Sequence, residues 1–342
     1  MRLKLLLAWV LTSMGIFSSC VSITDLSVDT LIPADVTFPA TVKNVAVVNN
    51  MEPGRNEVVN RSELRVNLTP DSAALVKRIA EDLANANYFD KVMICDSVMR
   101  HENGLPAVLS PMTVGSMSDG LGVDLLVSID NAQIKTARKW LYTEYSGNSK
   151  APVLQTAIML ESRLYLPGRD RVFQRFVDRD TLYWEPADGI PRDLIEASVA
   201  AMSQKLADHI VPYWDTERRY YFNGGSVNLR DGAVAVREKD WDEAFQSWKS
   251  EYQQKKGVAK MRAAYNLALY HEMKGETEQA VKYAKEALDF IEKNAQKKKE
   301  KDGNVSLKDS EQWLMAHSYL NKLYEKQQQQ KKLDLQMQRF NP

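Results

Sequence analysis

The feature that most constrains the fold is an internal repeat in the last third of the 342-residue sequence. The segments DWDEAFQSW and ETEQAVKYA align so that Ala244 lies over Ala280, 36 positions later. Twelve positions before each alanine stands another small residue, Gly232 or Ala268. A period of this length is typical of stacked helix–turn–helix units, in which small residues allow paired helices to approach closely. The spacing therefore predicts an all-α repeat region.

These residues give the region a resemblance to the tetratricopeptide repeat. The two earlier small residues match the eighth position of that motif, and the two alanines match the twentieth. The sequence departs from this motif in two ways: both units lack the large aromatic residue of the fourth position, and both lack the closing proline. Further on, Trp313 stands at a fourth position and predicts a third first helix or a cap. The predicted tetratricopeptide-like helical-repeat domain covers residues 223–342.

The resemblance implies a binding groove lined by the first helix of each unit. The groove positions of the second unit are Arg262, Tyr265, Leu269 and Glu272. A guanidinium can bind a carboxylate, and a phenol ring offers apolar contact with a polar tip. This mixture predicts an extended or helical peptide as the partner. The alternative is that Tyr265 and Leu269 pack against Leu314 of the next helix and leave no groove.

A short apolar run opens the chain and predicts its location. Arg2 and Lys4 precede an uncharged stretch from Leu5 to Phe17. A helix of this length spans about 20 Å, well short of the roughly 30 Å hydrocarbon core of a bilayer. A cleaved signal is therefore expected rather than a permanent span.

The residues Phe17-Ser18-Ser19-Cys20 resemble a bacterial lipobox. That resemblance implies that Cys20 receives a diacylglycerol and becomes the first residue of the mature chain. We therefore predict a lipoprotein signal peptide over residues 1–19 and a lipidated tether over 20–41, a segment with two prolines and no helical period. Three acyl chains would hold the protein to a bilayer almost permanently. The expected location is the cell envelope, on the outer membrane and facing the periplasm, with ordinary secretion or a retained anchor as the alternatives.

Composition excludes some classes of function. Removing residues 1–19 takes away Arg2 and Lys4 and leaves 43 basic against 45 acidic side chains. Nucleic-acid binding needs a concentrated basic face, so a nucleic-acid partner is not expected.

If Cys20 carries lipid, Cys95 has no disulfide partner. Its apolar neighbours predict a buried small hydrophobe.

Residues 42–222 show the pattern of an α/β domain. Val45–Val48 is a continuous apolar run, typical of a buried strand, and the polar segment 51–68 after it reads as a loop. The remaining predicted elements are a helix over 69–87, a strand over 92–95, a helix over 112–121, a strand from 125 towards 145, a hairpin of 154–166 with 171–182, and a helix over 191–210. The order is β-α-β-α-β-β-β-α, a mixed sheet with crossover and hairpin connections.

This pattern resembles the periplasmic domains of penicillin-binding-protein activators, the curli secretion lipoprotein and the amino-terminal domain of the Tol-system β-propeller protein. The resemblance lies in VKNVAVVNN, LANANYFDKVMI, LGVDLLVSIDNAQI and the hairpin that follows. It implies a binding domain rather than an enzyme. The whole chain also resembles lipoproteins of unknown activity from anaerobic gut-type diderm bacteria.

Side chains for catalysis or metal binding show no recognisable spacing. His101, His209, His271 and His317 stand apart from one another and predict no metal site and no cofactor. The glycines of DGLGVD follow a helix, which favours helix C-caps over a dinucleotide loop. The aromatic residues between Tyr213 and Phe222 are expected to pack between the domains, with sugar binding as the alternative.

Together these patterns predict a non-enzymatic, membrane-anchored envelope lipoprotein that binds or assembles a protein partner. The second hypothesis is that the α/β domain binds envelope glycan and the repeats serve as a spacer. A third is an enzyme with an unfamiliar site. Convergent acids in a deep polar pocket would favour the enzyme, whereas an apolar concave groove on the repeats would favour the protein-binding function.

Overall fold

The structure, a computed structural model, describes residues 23–52, 54, 56–60, 62–98, 108–142, 149–185, 190–302 and 311–340. The predicted signal peptide and Cys20 lie outside these ranges. Within them, no helix combines the length and the apolar character needed to cross a bilayer.

The chain divides into two compact units. Among the described residues, the α/β unit consists of Ile32–Tyr213 and residues 332–340, and the helical unit consists of Trp214–Lys331 and residues 23–31. The fold class is confirmed, since a mixed-sheet α/β region precedes an all-α region. The unit boundary falls nine residues earlier than the predicted boundary at 222/223, because the strand after Tyr213 groups with the helices.

In the part of the α/β unit that the structure describes, there are a seven-stranded sheet and three helices. Its strands are β2 (Asn44–Asn49), β3 (Glu57–Asn60), β4 (Arg65–Leu68), β5 (Lys91–Cys95), β6 (Leu125–Tyr142), β7 (Lys150–Tyr165) and β8 (Gln174–Trp184). Its helices are α1 (Ser72–Asn85), α2 (Pro111–Leu121) and α3 (Leu194–Ile210). The predicted element order is confirmed, with β3 and β4 as additions.

Strand β6 organises the sheet. Its first half pairs in parallel with β2, which in turn pairs in parallel with β5. Its second half pairs antiparallel with β4, and its whole length pairs antiparallel with β7. The pairing of β2 with β6 ends at Asn49 and Ile129, and β6 continues beyond the carboxyl end of β2 to Tyr142. In open α/β sheets, ligands bind outside the carboxyl ends of parallel strands such as β2.

Strands β3 and β4 correct the prediction of a loop over residues 51–68. They form an antiparallel pair, and β4 joins the sheet through β6. Of the residues in these two strands only Val66 is buried. A sequence pattern reveals a strand by the residues it buries, so these two short strands left no signal.

The tether predicted for 20–41 also differs from the structure. Residues Ile23–Ile32 form strand β1, which pairs with β9 (Tyr213–Phe222) in a two-stranded sheet. Val28 and Thr30 are buried, and they alternate with exposed residues at the period of a strand. Ala34 and Phe38 are buried as well. The described part of this segment is therefore folded rather than free.

The described residues of the helical region form five helices. They are α4 (Val227–Arg237), α5 (Trp241–Gln254), α6 (Gly257–Met273), α7 (Thr277–Asp302) and α8 (Glu311–Met337), followed by a 3-10 turn at Gln338–Phe340. Consecutive helices from α4 to α7 pack against one another. The segment 294–304 has the charged composition of a solvated loop, yet α7 continues to Asp302, because lysine and glutamate are good helix formers.

Small residues stand at the helix contacts, as the repeat spacing requires. Ala244, Ala268 and Ala280 are completely buried. At Gly232 an added Cβ would lie 2.3 Å from Trp248 Nε1. Any side chain at this position of α4 would collide with α5, so the glycine is needed for the close approach of the two helices.

Candidate functional site

All four residues predicted to line the repeat groove are buried. Tyr265 is 2% exposed, and its ring packs against Phe222 of β9 and Tyr319 of α8 at centroid distances of 5.4 and 5.1 Å. The interpretation of these side chains as an open peptide groove is therefore wrong. The stated alternative, core packing, describes Tyr265 and Leu269, although Leu314 is largely exposed.

Two of these four side chains are charged, and both have partners in the helical unit. Glu272 accepts hydrogen bonds from Arg219 of β9 and from Tyr319 of α8. Arg262 Nη1 donates to the carbonyl of Gly224, 3.3 Å away. These contacts arise because β9 covers the face that a tetratricopeptide array would leave open, and the repeat pattern gives no sign of that strand.

The cysteine and histidines of the described chain show no arrangement for catalysis or metal binding. The Cys95 thiol is half-buried, and burial together with nearby Asp96 raises its pKa, so the thiol stays protonated at neutral pH. His209 lies between Asp178 and Asp35. In the ranges that the structure covers, no three His, Cys, Asp or Glu side chains are placed to hold a metal ion.

A cleft of about 500 Å³ opens at the carboxyl end of β2, beside the middle of β6, within the α/β unit. We call it the carboxyl-edge cleft. Its lining is mostly polar and comes from the chain after β2, from β4 and from the middle of β6. The polar side chains are Glu52, Glu57, Asn67, Thr69, Asp130, Asn131, Gln133 and Lys135.

A β-bulge places Asp130 in the floor of the cleft. The register of β6 with β7 shifts between Ile129 and Asn131, so Asp130 is the extra residue. Bulges of this kind redirect a side chain and are frequent beside functional sites. The Asp130 side chain is almost completely buried.

The two oxygens of the Asp130 carboxylate have different surroundings. Oδ1 accepts from Asn50 Nδ2 at 2.6 Å and from Ser128 Oγ at 2.7 Å. Oδ2 lies 2.9 Å from Arg163 Nη1 as an ion pair, but no described residue donates a hydrogen bond to it. Burial raises the pKa of Asp130, while the hydrogen bonds and Arg163 oppose that rise.

Glu52 is a second acidic residue of the cleft. It stands three residues after the end of β2 and is half-buried at the wall of the cleft. Its Oε1 atom is buried and has no hydrogen-bond partner among the described residues. A buried acceptor of this kind costs free energy unless a donor reaches it. A ligand group that donates a hydrogen bond to Glu52 Oε1 would therefore be bound favourably there.

Sequence reasoning missed this site. It gave Asn50 and Asp130 no role. The available signal was that polar residues directly follow two apolar runs, Val45–Val48 and the one that begins at Leu125, and these two runs pair in parallel.

The helical unit has a cavity of its own, of about 510 Å³, between β9 and α8. We call it the tyrosine cavity, because Tyr220, Tyr265 and Tyr319 line it together with the apolar side chains of Ile23, Leu314 and Met315. Leu314 and Tyr220 are exposed at its opening. Arg218 also lines it and contacts Asp25 at 3.5 Å.

The fold and the carboxyl-edge cleft define a class: a mixed-sheet α/β domain with a polar edge site, followed by helices. A family model described as "Domain of unknown function (DUF8603)" matches residues 42–222, just over half of the chain, and the chain belongs to this family. These are also the bounds of the predicted α/β domain. A second model, "Domain of unknown function (DUF6340)", matches residues 230–325.

Among solved structures, two PelC dodecamers from Paraburkholderia phytofirmans are similar, one of them a variant. Their sequence identities to this chain are 14% and 13%, and each match covers 54% of this chain and 97% of the other with a TM-score of 0.25. A TM-score of this size supports no argument about this protein. No curated protein matches the chain.

Proposed function

We propose that this protein is a lipid-anchored, non-enzymatic lipoprotein of the cell envelope that acts by binding. The amino-terminal sequence supports the anchor, since a basic start, an uncharged run and two serines precede Cys20. The expected site is the outer membrane, facing the periplasm. Two observations support a non-enzymatic function: the sequence shows no recognisable catalytic spacing, and burial raises the pKa of the Cys95 thiol.

The anchor is tested by acylation in cells. Cys20→Ala is expected to abolish incorporation of labelled palmitate and to leave an uncleaved or soluble protein. Cys95→Ala is the matched control and is expected to incorporate label like the parent protein. Unchanged acylation of the Cys20 variant would contradict the lipoprotein assignment.

The α/β unit supplies the binding site in this proposal, and the ligand is an envelope glycan. A sugar hydroxyl both donates and accepts hydrogen bonds, and the cleft offers both roles through amides and carboxylates. Asn67, Asn131 and Gln133 are half-exposed in its lining, beside the unpaired oxygen of Glu52. The volume of about 500 Å³ lies within the usual range for small-ligand sites. The observation that carries the proposal is this polar, partly unsatisfied cleft at the carboxyl edge.

The test titrates the full chain with purified muropeptide disaccharides and follows binding by calorimetry. Asn131→Ala combined with Gln133→Ala is expected to weaken binding at least tenfold. Gln174→Ala removes an exposed amide outside the cleft and is expected to leave binding unchanged. No binding by the parent protein, or an equal loss in the control, would contradict glycan binding at this site.

The tyrosine cavity favours a second candidate function, the holding of a protein partner. Its apolar walls and the exposed Leu314 suit an apolar side chain from another protein. Aromatic residues at such openings are often the positions that contribute most to binding. This surface replaces the buried groove residues as the protein-binding site of the helical unit.

Site-specific photocrosslinking in intact cells tests this second function. A crosslinker at Leu314 is expected to capture one discrete partner, and Tyr220→Ala is expected to reduce that capture. A crosslinker at Val227, which is equally exposed in the same unit but outside the cavity, is the control. The same adducts from both positions would show that the cavity is not a specific site.

A further inference from the structure

The hairpin of β6 and β7 extends beyond the rest of the sheet. Trp140 pairs with Pro152, and Tyr142 pairs with Lys150. Strand β8 ends at Trp184, opposite Leu154, and β4 contacts β6 only as far as Thr136. Residues 139–142 and 150–153 therefore form a two-stranded extension, which we call the terminal ribbon. Among the described residues, no third strand pairs with it.

The terminal ribbon exposes three large apolar side chains in succession. Trp140 is 60% exposed, Leu141 37% and Tyr142 68%. A two-stranded ribbon is at best marginally stable in water, and it usually buries such residues against a core. Exposed apolar clusters of this kind mark interaction sites.

The exposed side chains lie on both faces of the ribbon. Successive residues of a strand point to opposite faces, so Leu141 lies on the face opposite Trp140 and Tyr142. A protein partner docked on one face would leave the other in water. A lipid headgroup layer surrounds an inserted ribbon and contacts both faces. The arrangement of these side chains therefore favours a bilayer over a protein surface.

Residue type and charge agree with a bilayer. Tryptophan and tyrosine are enriched at membrane–water interfaces, where an aromatic ring lies at the headgroup level. Lys139 and Lys150 stand one on each strand, and both are exposed. Lys150 Nζ lies over the Tyr142 ring, 5.6 Å from its centroid. The sequence from 139 to 153 holds these two lysines and one acidic residue, Glu144. Lysines in this position attract anionic lipids and extend their ammonium groups towards the phosphates.

We propose that the terminal ribbon is a membrane-contact element, which inserts Trp140, Leu141 and Tyr142 into the headgroup region of an anionic bilayer. This contact is separate from lipidation of Cys20 and does not depend on the ligand of the carboxyl-edge cleft. It would orient the α/β unit at a membrane surface, whereas an acyl anchor alone only tethers the chain.

The test uses the full chain reconstituted on vesicles of phosphatidylethanolamine and phosphatidylglycerol whose acyl chains are brominated near the headgroup. Bromine quenches tryptophan fluorescence only at short range. Trp140→Phe is expected to remove most of the lipid-dependent quenching. Trp214→Phe is the matched control, because Trp214 is 71% exposed on β9, outside the ribbon, and its removal is expected to leave the quenching unchanged.

A second pair of variants tests the charge. Lys139→Glu combined with Lys150→Glu is expected to reduce quenching of Trp140 at least threefold on anionic vesicles. Lys249→Glu combined with Lys285→Glu places the same charge change in the helical unit and is expected to have no effect. If parent and Trp140→Phe proteins are quenched equally, or if the parent protein does not associate with vesicles at all, the membrane contact is refuted. A protein partner would then be the remaining candidate for binding the exposed side chains of the ribbon.

Discussion

Arg219 and Glu272 form a buried ion pair that joins β9 to α6. Arg219 Nε donates to both carboxylate oxygens of Glu272, at 3.2 and 3.0 Å, and Nη2 donates to Oε1 at 2.9 Å. Lys326 Nζ adds a contact of 3.2 Å from α8. Burial raises the pKa of Glu272, but the hydrogen bonds and charge of Arg219 outweigh it and hold the pKa below its usual value. The ion pair therefore holds β9 against α6, where β9 covers the residues predicted to line the groove.

Removing one member of this pair is expected to destabilise the helical unit strongly. Glu272→Ala leaves a buried guanidinium without its main partner, which typically costs about 3–5 kcal/mol. Asp242→Ala breaks the exposed contact with Lys274 and is expected to change stability little, because exposed ion pairs are screened by water. Urea unfolding followed by circular dichroism measures both variants. Similar midpoints for the two variants would contradict the structural role of Glu272.

The same pair predicts an effect of acid. Because the folded pKa of Glu272 is lowered, its stabilisation is present above the unfolded value of about 4.3 and is lost as the pH falls through the folded value. Glu272→Gln is therefore expected to flatten the loss of stability in the acid range. A variant whose unfolding retains the acid dependence of the parent protein would argue against this assignment.

His209 predicts that the stability of the α/β unit also depends on pH near neutrality. Its hydrogen bond with Asp178, 2.7 Å long, raises the pKa, burial opposes the rise, and the hydrogen bond with Asp35 adds to it. The folded pKa lies above the unfolded value of about 6.5, so the stabilisation is complete below that pH and is lost as the pH rises through the folded value.

The expected result is that His209→Gln removes the decline in stability of the α/β unit above pH 6.5. His317→Gln is the control, because His317 stacks on Trp313 and contacts Asn321 instead of two carboxylates. Nuclear magnetic resonance titration of the histidine ring protons measures the pKa directly. A midpoint for His209 at or below 6.5 would contradict the prediction.

The parts of the fold that follow from local sequence were predicted correctly. Strands β2 and β5 and the start of β6 are short apolar runs, and α1 carries Leu75, Ile79 and Leu83 on one buried face. The predicted start of α1 was also close, since Asp71 caps the helix by accepting from the N–H groups of Ala73 and Ala74. Such elements depend on periodicity and capping, which a single sequence displays.

The parts that were missed depend on long-range contacts. Nothing near Tyr265 indicates that Phe222 and Tyr319 cover it, because these residues are more than 40 positions away. Likewise, the cleft around Asp130 requires knowing that β2 and β6 are neighbours. Sequence periodicity predicts which face of an element is buried, but it does not identify the partner.

The carboxyl-terminal residues illustrate the same limit, and they yield a prediction. Gln336 was expected on a repeat helix, yet its side chain belongs to the α/β unit. Its Nε2 donates to the carbonyls of Ala34 and Val36 at 2.9 and 3.0 Å, and its Oε1 accepts from the Ala34 N–H at 3.0 Å. Gln336→Ala is expected to leave these backbone groups unpaired, at a cost of about 1–3 kcal/mol for each buried group.

Hydrogen exchange measures this effect locally. Gln336→Ala is expected to abolish protection of the Ala34 amide, and Gln338→Ala, which changes an exposed side chain, is expected to preserve it. Retained protection at Ala34 in the Gln336 variant would show that residues 32–36 are held by other contacts.

The helix contact at Gly232 gives the last prediction. An added Cβ would meet Trp248 at 2.3 Å, and Trp248 is completely buried, so Gly232→Ala forces α4 and α5 apart. Overpacking of this kind typically costs about 1–3 kcal/mol. Gly115→Ala is the matched control, since that glycine is in helix α2 with open space around its Cβ position. Alanine there is expected to stabilise by about 0.5–1 kcal/mol, because it reduces the backbone freedom of the unfolded chain. Opposite shifts of the thermal midpoint for these two glycine-to-alanine changes would establish that Gly232 is required by helix packing. A neutral or stabilising Gly232→Ala would instead mean that Trp248 can move aside.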